Sequence, residues 1–238
     1  DIAGVYYKEV YTSDFHKENA GMILFSKTPV VIGKEDPRQF VTEFTPNDHI
    51  YGVVYLKSKI KDLGTSTKYT VTMDGASQSY VSFSHNKEDY ENSFYFIEIL
   101  PDPNESLHKI DPIEFGKILS KLSPRSHEMK IEMAFGYGET VAEGTINLYW
   151  AGADSESIMA NANLASKNAE DNWVKNVQLP EIFNETGSRF SDPNLTNDKI
   201  KALFKSANSD VTQILKLKVT EKPDGYSDEW VVFKNSLD

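Results

Sequence analysis

Residues 127–135, His-Glu-Met-Lys-Ile-Glu-Met-Ala-Phe, and residues 144–150, Gly-Thr-Ile-Asn-Leu-Tyr-Trp, decide the fold class of this chain. Apolar and charged residues alternate through the first stretch, and in the second Ile146, Leu148 and Trp150 fall on one face. Alternation with a period of two is typical of a strand that buries one face. The two stretches therefore predict two strands that close the first 150 residues, with Trp150 in the core.

The sequence before these strands carries the same kind of signal. Further stretches rich in β-branched and aromatic residues occur at 4–12, 21–25, 29–32, 40–45, 50–57, 68–73, 79–84 and 94–100. Strands repeated roughly every 8–12 residues are typical of an antiparallel sandwich or barrel, and this rhythm does not separate the two. We therefore predict a mainly β (α+β) protein in which residues 1–150 form an antiparallel β-sandwich of Greek-key or jelly-roll type.

One helix is predicted inside this β-rich part, over about residues 111–122. Asp111 offers an N-cap, Pro112 follows at the first helical position, and Glu114 stands where a capping box has its acid. Apolar residues then recur at helical spacing at Phe115, Ile118, Leu119 and Leu122.

The composition changes near residue 151, after which Ala, Asn and Ser become frequent. Asp154 offers an N-cap, and a stripe of mostly small residues follows at Ile158, Ala162, Ala165 and Ala169. We expect a helix here that approaches another surface closely and offers a face for docking. A second helix over 198–207 and a hairpin of 215–219 with 229–234 complete a smaller α/β part, residues 151–238, packed on or beside the sandwich.

Composition excludes several classes of protein. Of the 238 residues, 25 are Lys or Arg and 36 are Asp or Glu, so the net charge of −11 argues against nucleic acid as the main partner. The chain contains no cysteine, which excludes disulfides, cysteine zinc ligands and a cysteine nucleophile. No run of about 18 apolar residues occurs, so we predict no transmembrane segment.

The sequence contains no local catalytic motif. It lacks a Gly-x-Ser-x-Gly elbow and a phosphate-binding Gly-Lys-Ser/Thr loop. Asp14 near His16 and Asp48 beside His49 place a carboxylate close to an imidazole, and we interpret both pairs as turn residues on the surface. We therefore predict no catalytic residue, no cofactor and no enzymatic activity.

Two further groups of residues are candidates for binding. Asp192, Asn194 and Asp198 have oxygens at alternate positions, as at the start of a calcium loop. The glycine and the bidentate Glu of such a loop are missing, so a helix N-cap is the favoured interpretation and no metal site is predicted. The candidate protein- or sugar-binding residues are aromatic: Trp173, Phe183, Phe190 and Tyr137.

Residues 165–170, Ala-Ser-Lys-Asn-Ala-Glu, the helix at 198–207 and the strands at 216–220 and 229–235 resemble segments of exported proteins of Bacteroidota. The resemblance implies a periplasmic or cell-surface location in a Gram-negative bacterium. It also implies a role as an accessory subunit of an outer-membrane machine, of which the type IX secretion apparatus is one. A first residue that is Asp rather than Met, together with the missing cysteine, adds to the expectation of export.

We therefore expect a non-catalytic exported protein that binds another protein and carries an exposed apolar patch within 151–238. A carbohydrate-binding module is the first alternative and needs exposed aromatic rings on one sheet face. A hydrolase with acids or histidines on separate loops is the second alternative and needs a cleft that holds two titratable groups with perturbed pKa values.

Overall fold

The computed structural model describes residues 10–64, 66–85, 89–136, 138–173, 211–221 and 227–235, together with positions 198, 199, 202 and 206. The chain divides into two compact units, Asp1–Asp171 and Asn172–Asp238. The division falls near the end of the helix that follows Asp154, so that helix lies almost wholly in the first unit.

The first unit combines eight strands with short helices. Its strands are β1 (Met22–Ser26), β2 (Glu43–Phe44), β3 (Ile50–Tyr55), β4 (Ser66–Met73), β5 (Ala76–Ser84), β6 (Phe94–Leu100), β7 (Ser126–Phe135) and β8 (Thr140–Tyr149). Its α-helices are α1 (Asp14–Glu18), α2 (Ile60–Leu63), α3 (Asp111–Leu119) and α4 (Ser155–Trp173). Single turns of 3-10 helix occur at Pro37–Gln39 and Pro103–Glu105.

The eight strands form one sheet that curls into a half-barrel. Its order is β5-β4-β7-β8-β1-β3-β6, and β2 pairs with β8 beside this path. Neighbouring strands are antiparallel except that β8 runs parallel to β1 and to β2. The mixed α+β class is confirmed, whereas the Greek-key or jelly-roll sandwich is not, because the described strands of this unit make a single curled sheet.

The two halves of the sheet are covered differently. Every residue of β3 is buried, because the main core packs on one face and a smaller apolar cluster on the other. Along β7, by contrast, buried residues alternate with more exposed ones. The smaller cluster consists of Val30, Val53 and Tyr55, with Phe15, Leu24, Ile32, Phe40 and Phe96 packed against it.

Residues 29–32 were expected to form a strand, and this prediction is wrong. They form an irregular segment that ends at Gly33, whose φ of +79° favours glycine. Val30 is nevertheless buried against the outer side of β3. An apolar run that packs on a sheet face without joining its ladder has the same composition as a strand, which is why the sequence pattern misled.

The two predicted helices of this unit are confirmed, with one correction. Asp154 caps α4, since its side chain accepts a hydrogen bond from the backbone N–H of Glu156 at 3.1 Å. Asp111 was expected to cap α3, but Ile110 holds the cap position and Asp111 is the first helical residue, with its side chain buried.

The small-residue stripe of α4 packs inside the first unit. All four residues of the stripe are buried, and Asn161 Nδ2 donates to the carbonyl oxygen of Pro101 at 3.1 Å. A Cβ atom on Gly116 would lie only 2.8 Å from the Cβ of Ala162, so α3 and α4 are in close contact. The stripe expected to dock on a partner is therefore occupied by the protein's own fold.

The second unit contains an antiparallel pair, β9 (Val211–Glu221) and β10 (Ser227–Asn235), in which Leu217 lies opposite Val231. The predicted turn of this hairpin, like most of the predicted helix at 198–207, lies outside the described residues. Among the helices that the structure describes, none combines the length and the apolar content needed to cross a membrane.

Candidate functional site

A small cleft of about 60 Å³ lies beside the smaller apolar cluster. Its walls come from the segment before β2, from the neighbouring strands β3 and β6, and from the loop that follows β6. The lining of the cleft includes the acids Glu98 and Glu105 together with Pro29, Val30, Tyr51, Val53, Phe96 and Leu107. An apolar concavity with a few polar groups is the usual form of a binding site.

Glu98 fixes the loop that carries Leu107. Its side chain is buried and accepts three hydrogen bonds from that loop: from the hydroxyl of Ser106 at 2.8 Å, from the backbone N–H of Leu107 at 2.8 Å and from that of His108 at 3.1 Å. Burial raises the pKa of Glu98, and these three donors oppose the rise. The loop therefore has a defined conformation at the edge of the cleft.

Asp111 is a second buried carboxyl group next to Glu98. Burial, reinforced by the negative charge of Glu98, raises the pKa of Asp111 to about 7. Its Oδ2 atom has no hydrogen-bond partner within the described part of the chain. The negative charge of Asp111 also adds to the burial that raises the pKa of Tyr69 and of Tyr95. Asp111 does not line the cleft.

Exposed apolar side chains lie on both loop segments that contribute to the cleft. In the part of the chain that is described, three large apolar side chains are more than half exposed: Val31 at 60%, Leu107 at 71% and Ile110 at 53%. Leu107 lines the cleft, Val31 follows the lining residue Val30, and Ile110 belongs to the same loop as Leu107. We call Val31, Leu107 and Ile110 the apolar rim.

One end of the cleft carries negative potential. The hydroxyl of Tyr51 accepts a hydrogen bond from the backbone N–H of Asp102 at 2.7 Å. The pKa of Tyr51 is raised to about 12, first by burial and then by the negative charges of Glu105, Glu98 and Asp102. Three carboxylates therefore act on a group inside the cleft.

The residues predicted to bind a partner lie elsewhere or outside the description. Trp173 ends α4 and is 39% exposed, but it does not line the cleft. Tyr137, Phe183 and Phe190 lie outside the described residues, as do the calcium candidates Asp192 and Asn194. Asp198, the third calcium candidate, is an exposed helical position. Binding of a partner by Trp173, Tyr137, Phe183 and Phe190 stays a prediction.

Neither Glu98 nor Leu107 is among the residues predicted from the sequence, although the sequence contains one signal for Glu98. It stands inside the run Phe-Ile-Glu-Ile-Leu, where a charged residue interrupts an otherwise apolar strand. A buried acid must be paired or hydrogen-bonded, so such a position marks a polar interaction of the fold. Leu107 gives no signal, because its exposure depends on the loop conformation.

The histidines do not form a metal site in the described residues. No three His, Asp or Glu side chains there come together as a possible ligand set. His16 was interpreted as a surface residue, and this is wrong: it is fully buried, with Nε2 at 2.9 Å from the carbonyl oxygen of Leu56. Burial lowers the pKa of His16, and the contact of its Nε2 atom with Leu56 joins α1 to the end of β3.

Comparison with known proteins assigns the chain to no family. No protein-family model matches it, and no curated protein matches it either.

Proposed function

We propose that this protein is a non-catalytic exported protein that binds another protein, and that the cleft with the apolar rim is its docking surface. In this proposal it serves as an accessory subunit of an outer-membrane or secretion complex in a Gram-negative envelope. The observation that carries the proposal is that Leu107, the most exposed large apolar side chain of the described residues, lines the cleft, and that the next two, Val31 and Ile110, lie on two of the segments that form its walls. Clustered exposed apolar side chains mark interaction sites more often than scattered ones do.

The rim suits binding because its loop is fixed before a partner arrives. Glu98 accepts hydrogen bonds from the backbone N–H groups of Leu107 and His108, so Leu107 loses little chain entropy on docking. Full burial of one such side chain contributes about 1.5–3 kcal/mol. A fixed apolar side chain beside a concavity has the properties of an interface hot spot.

The two alternatives have less support. A carbohydrate-binding module needs two or three exposed aromatic rings on one sheet face, and the described chain exposes Tyr149 on β8 and Trp173 on a helix. A hydrolase with acids or histidines on separate loops needs a cleft in which two such groups with perturbed pKa values are available for catalysis. Glu98 is already bonded to its own loop, and Asp111 does not line the cleft.

We keep a sandwich of Greek-key or jelly-roll type as a hypothesis about the fold, which a crystal structure tests.

The test is recovery of the native complex from the producing cells with wild-type protein and two variants. Leu107→Asp places a charge on the rim, and Leu164→Asp places the same charge on the exposed side of α4, where Leu164 is 49% exposed. We expect a stoichiometric protein partner with wild type and Leu164→Asp, and at least a tenfold loss of that partner with Leu107→Asp. A wild-type protein that runs alone, or equal recovery with both variants, would contradict the proposal.

A further inference from the structure

We infer that the partner segment that enters the cleft is a basic–apolar peptide: one or two bulky apolar side chains flanked by Lys or Arg. This inference rests on the proposed function and adds the chemistry of the partner. The apolar walls of the cleft select the bulky side chain, and the acids at its edge select the flanking cations.

Glu105 is the acid best placed to meet a cation. It is exposed, it lines the cleft, and its carboxylate forms no ion pair within the described residues. Lys109, on the loop that follows β6, is already paired with Glu170, with Nζ and Oε1 3.8 Å apart. A cation from a partner therefore meets at Glu105 a carboxylate that no cation of this fold has neutralised.

Asp102 and Glu98 extend the negative potential beyond Glu105. Asp102 Oδ1 accepts from the backbone N–H of Asn104, and its Oδ2 lies 4.0 Å from His49 Nε2. Glu98 is bonded by N–H and O–H donors rather than by a cation, so its negative charge is not cancelled. The raised pKa of Tyr51 is consistent with this field.

The charge of the whole chain points the same way. A net charge of −11 speeds the approach of a basic segment and opposes the approach of a second copy of this protein. A fully apolar partner segment would remove water from the Glu105 carboxylate and would supply no cation or hydrogen-bond donor in its place. A basic–apolar peptide satisfies both the apolar walls and the Glu105 carboxylate.

The test is fluorescence anisotropy with three labelled probe peptides of equal length. They are Gly-Lys-Leu-Phe-Lys-Gly, its acidic counterpart Gly-Glu-Leu-Phe-Glu-Gly, and the polar counterpart Gly-Lys-Ser-Ser-Lys-Gly. We expect the first peptide to bind at least about fivefold more tightly than either of the others, since each exposed charge pair contributes a factor of about two to five. The preference for Lys over Glu should shrink at high salt.

Glu105→Gln separates charge from shape. It should weaken the basic–apolar peptide about threefold and reduce its salt dependence, while Glu128→Gln on the outer face of β7 changes neither. Equal binding of the basic and acidic peptides, or no effect of Glu105→Gln, would overturn the inference. The native-complex test with Leu107→Asp reads the proposed function separately, so the docking surface can stand even where this partner chemistry fails.

Discussion

The half of the sheet around β3 and the half around β7 differ in what covers them. β3 reads Ile-Tyr-Gly-Val-Val-Tyr and is buried throughout, whereas β7 alternates buried positions with more exposed ones. The first pattern arises because residues 29–40 and α1 supply a second apolar layer. The cleft lies where that layer is incomplete. In this protein a candidate site is therefore found beside the strand with the most continuous burial.

The two halves meet where β8 passes β1. Their ladder contains a single parallel pair, Met22 opposite Glu143, and β2 then continues along β8 from Glu43. A Cβ atom on Gly144 would lie 2.2 Å from the carbonyl oxygen of Ile23. The strands approach each other so closely here that only glycine fits.

Gly144→Ala is therefore the change with the largest expected effect on stability, because it disturbs the contact between β8 and β1 that joins the two halves of the sheet. The backbone must shift to accept the methyl group, so we expect the first unit to lose at least about 3 kcal/mol of unfolding free energy. Urea unfolding followed by tryptophan fluorescence, to which the buried Trp150 contributes, measures this loss. Gly52→Ala is the control, since its Cβ would meet Ile97 at an ordinary 3.4 Å. Equal losses for the two variants would show that the junction is not tight.

Val53→Ala tests the second layer directly. Val53 is 1% exposed on the side of β3 that faces the smaller cluster, so its truncation should cost about 2 kcal/mol. Thr70→Ala on the half-exposed side of β4 should stay within about 0.5 kcal/mol of wild type. The same urea titration serves both variants. A Val53→Ala cost as small as that of Thr70→Ala would mean that the outer layer over β3 contributes little.

The sequence predicts the half around β7, which is covered on one face, better than the half around β3, which is covered on both. Alternation locates β7 and β8, and the turn residues Asp74-Gly75 separate β4 from β5. The helical spacing of α4 also predicts which of its residues are buried. In each case one face of a regular element determines the pattern, so local periodicity is sufficient.

The half around β3, which is covered on both faces, depends on long-range contacts that the local periodicity of the sequence does not predict. The run at 29–32 has the composition of a strand but pairs with no ladder. The parallel contact of β8 with β1 joins residues more than a hundred positions apart. The placement of Glu98 and Asp111 side by side follows from where α3 meets β6, and no spacing in the sequence encodes that contact.

One acid in each half of the sheet should respond to pH in a different way. The pKa of Asp111 is raised to about 7 in the folded protein and lies near 4 when the chain is unfolded, so the folded state holds the proton more tightly. This contribution to stability is present at low pH and is lost as the pH rises through about 7. Asp111→Asn keeps the shape without the charge. Relative to wild type, we expect it to gain on the order of 1 kcal/mol between pH 5 and pH 8.

The difference between variant and wild type is the quantity to measure, because burial lowers the pKa of His85 and His108 to about 4 and both histidines change stability in the opposite sense. Asp74, in the other half, is the matched control. Hydrogen bonds from Glu128 N–H and His127, with Arg125 nearby, lower its pKa to about 2, so its stabilisation is lost only as the pH falls below about 4. Asp74→Asn should therefore weaken the fold equally at pH 5 and pH 8. If the stability differences of Asp111→Asn and Asp74→Asn from wild type changed with pH in the same way, the prediction would be wrong. Burial of Asp111 beside Glu98 would then have no pH effect distinct from that of Asp74, which hydrogen-bond donors stabilise.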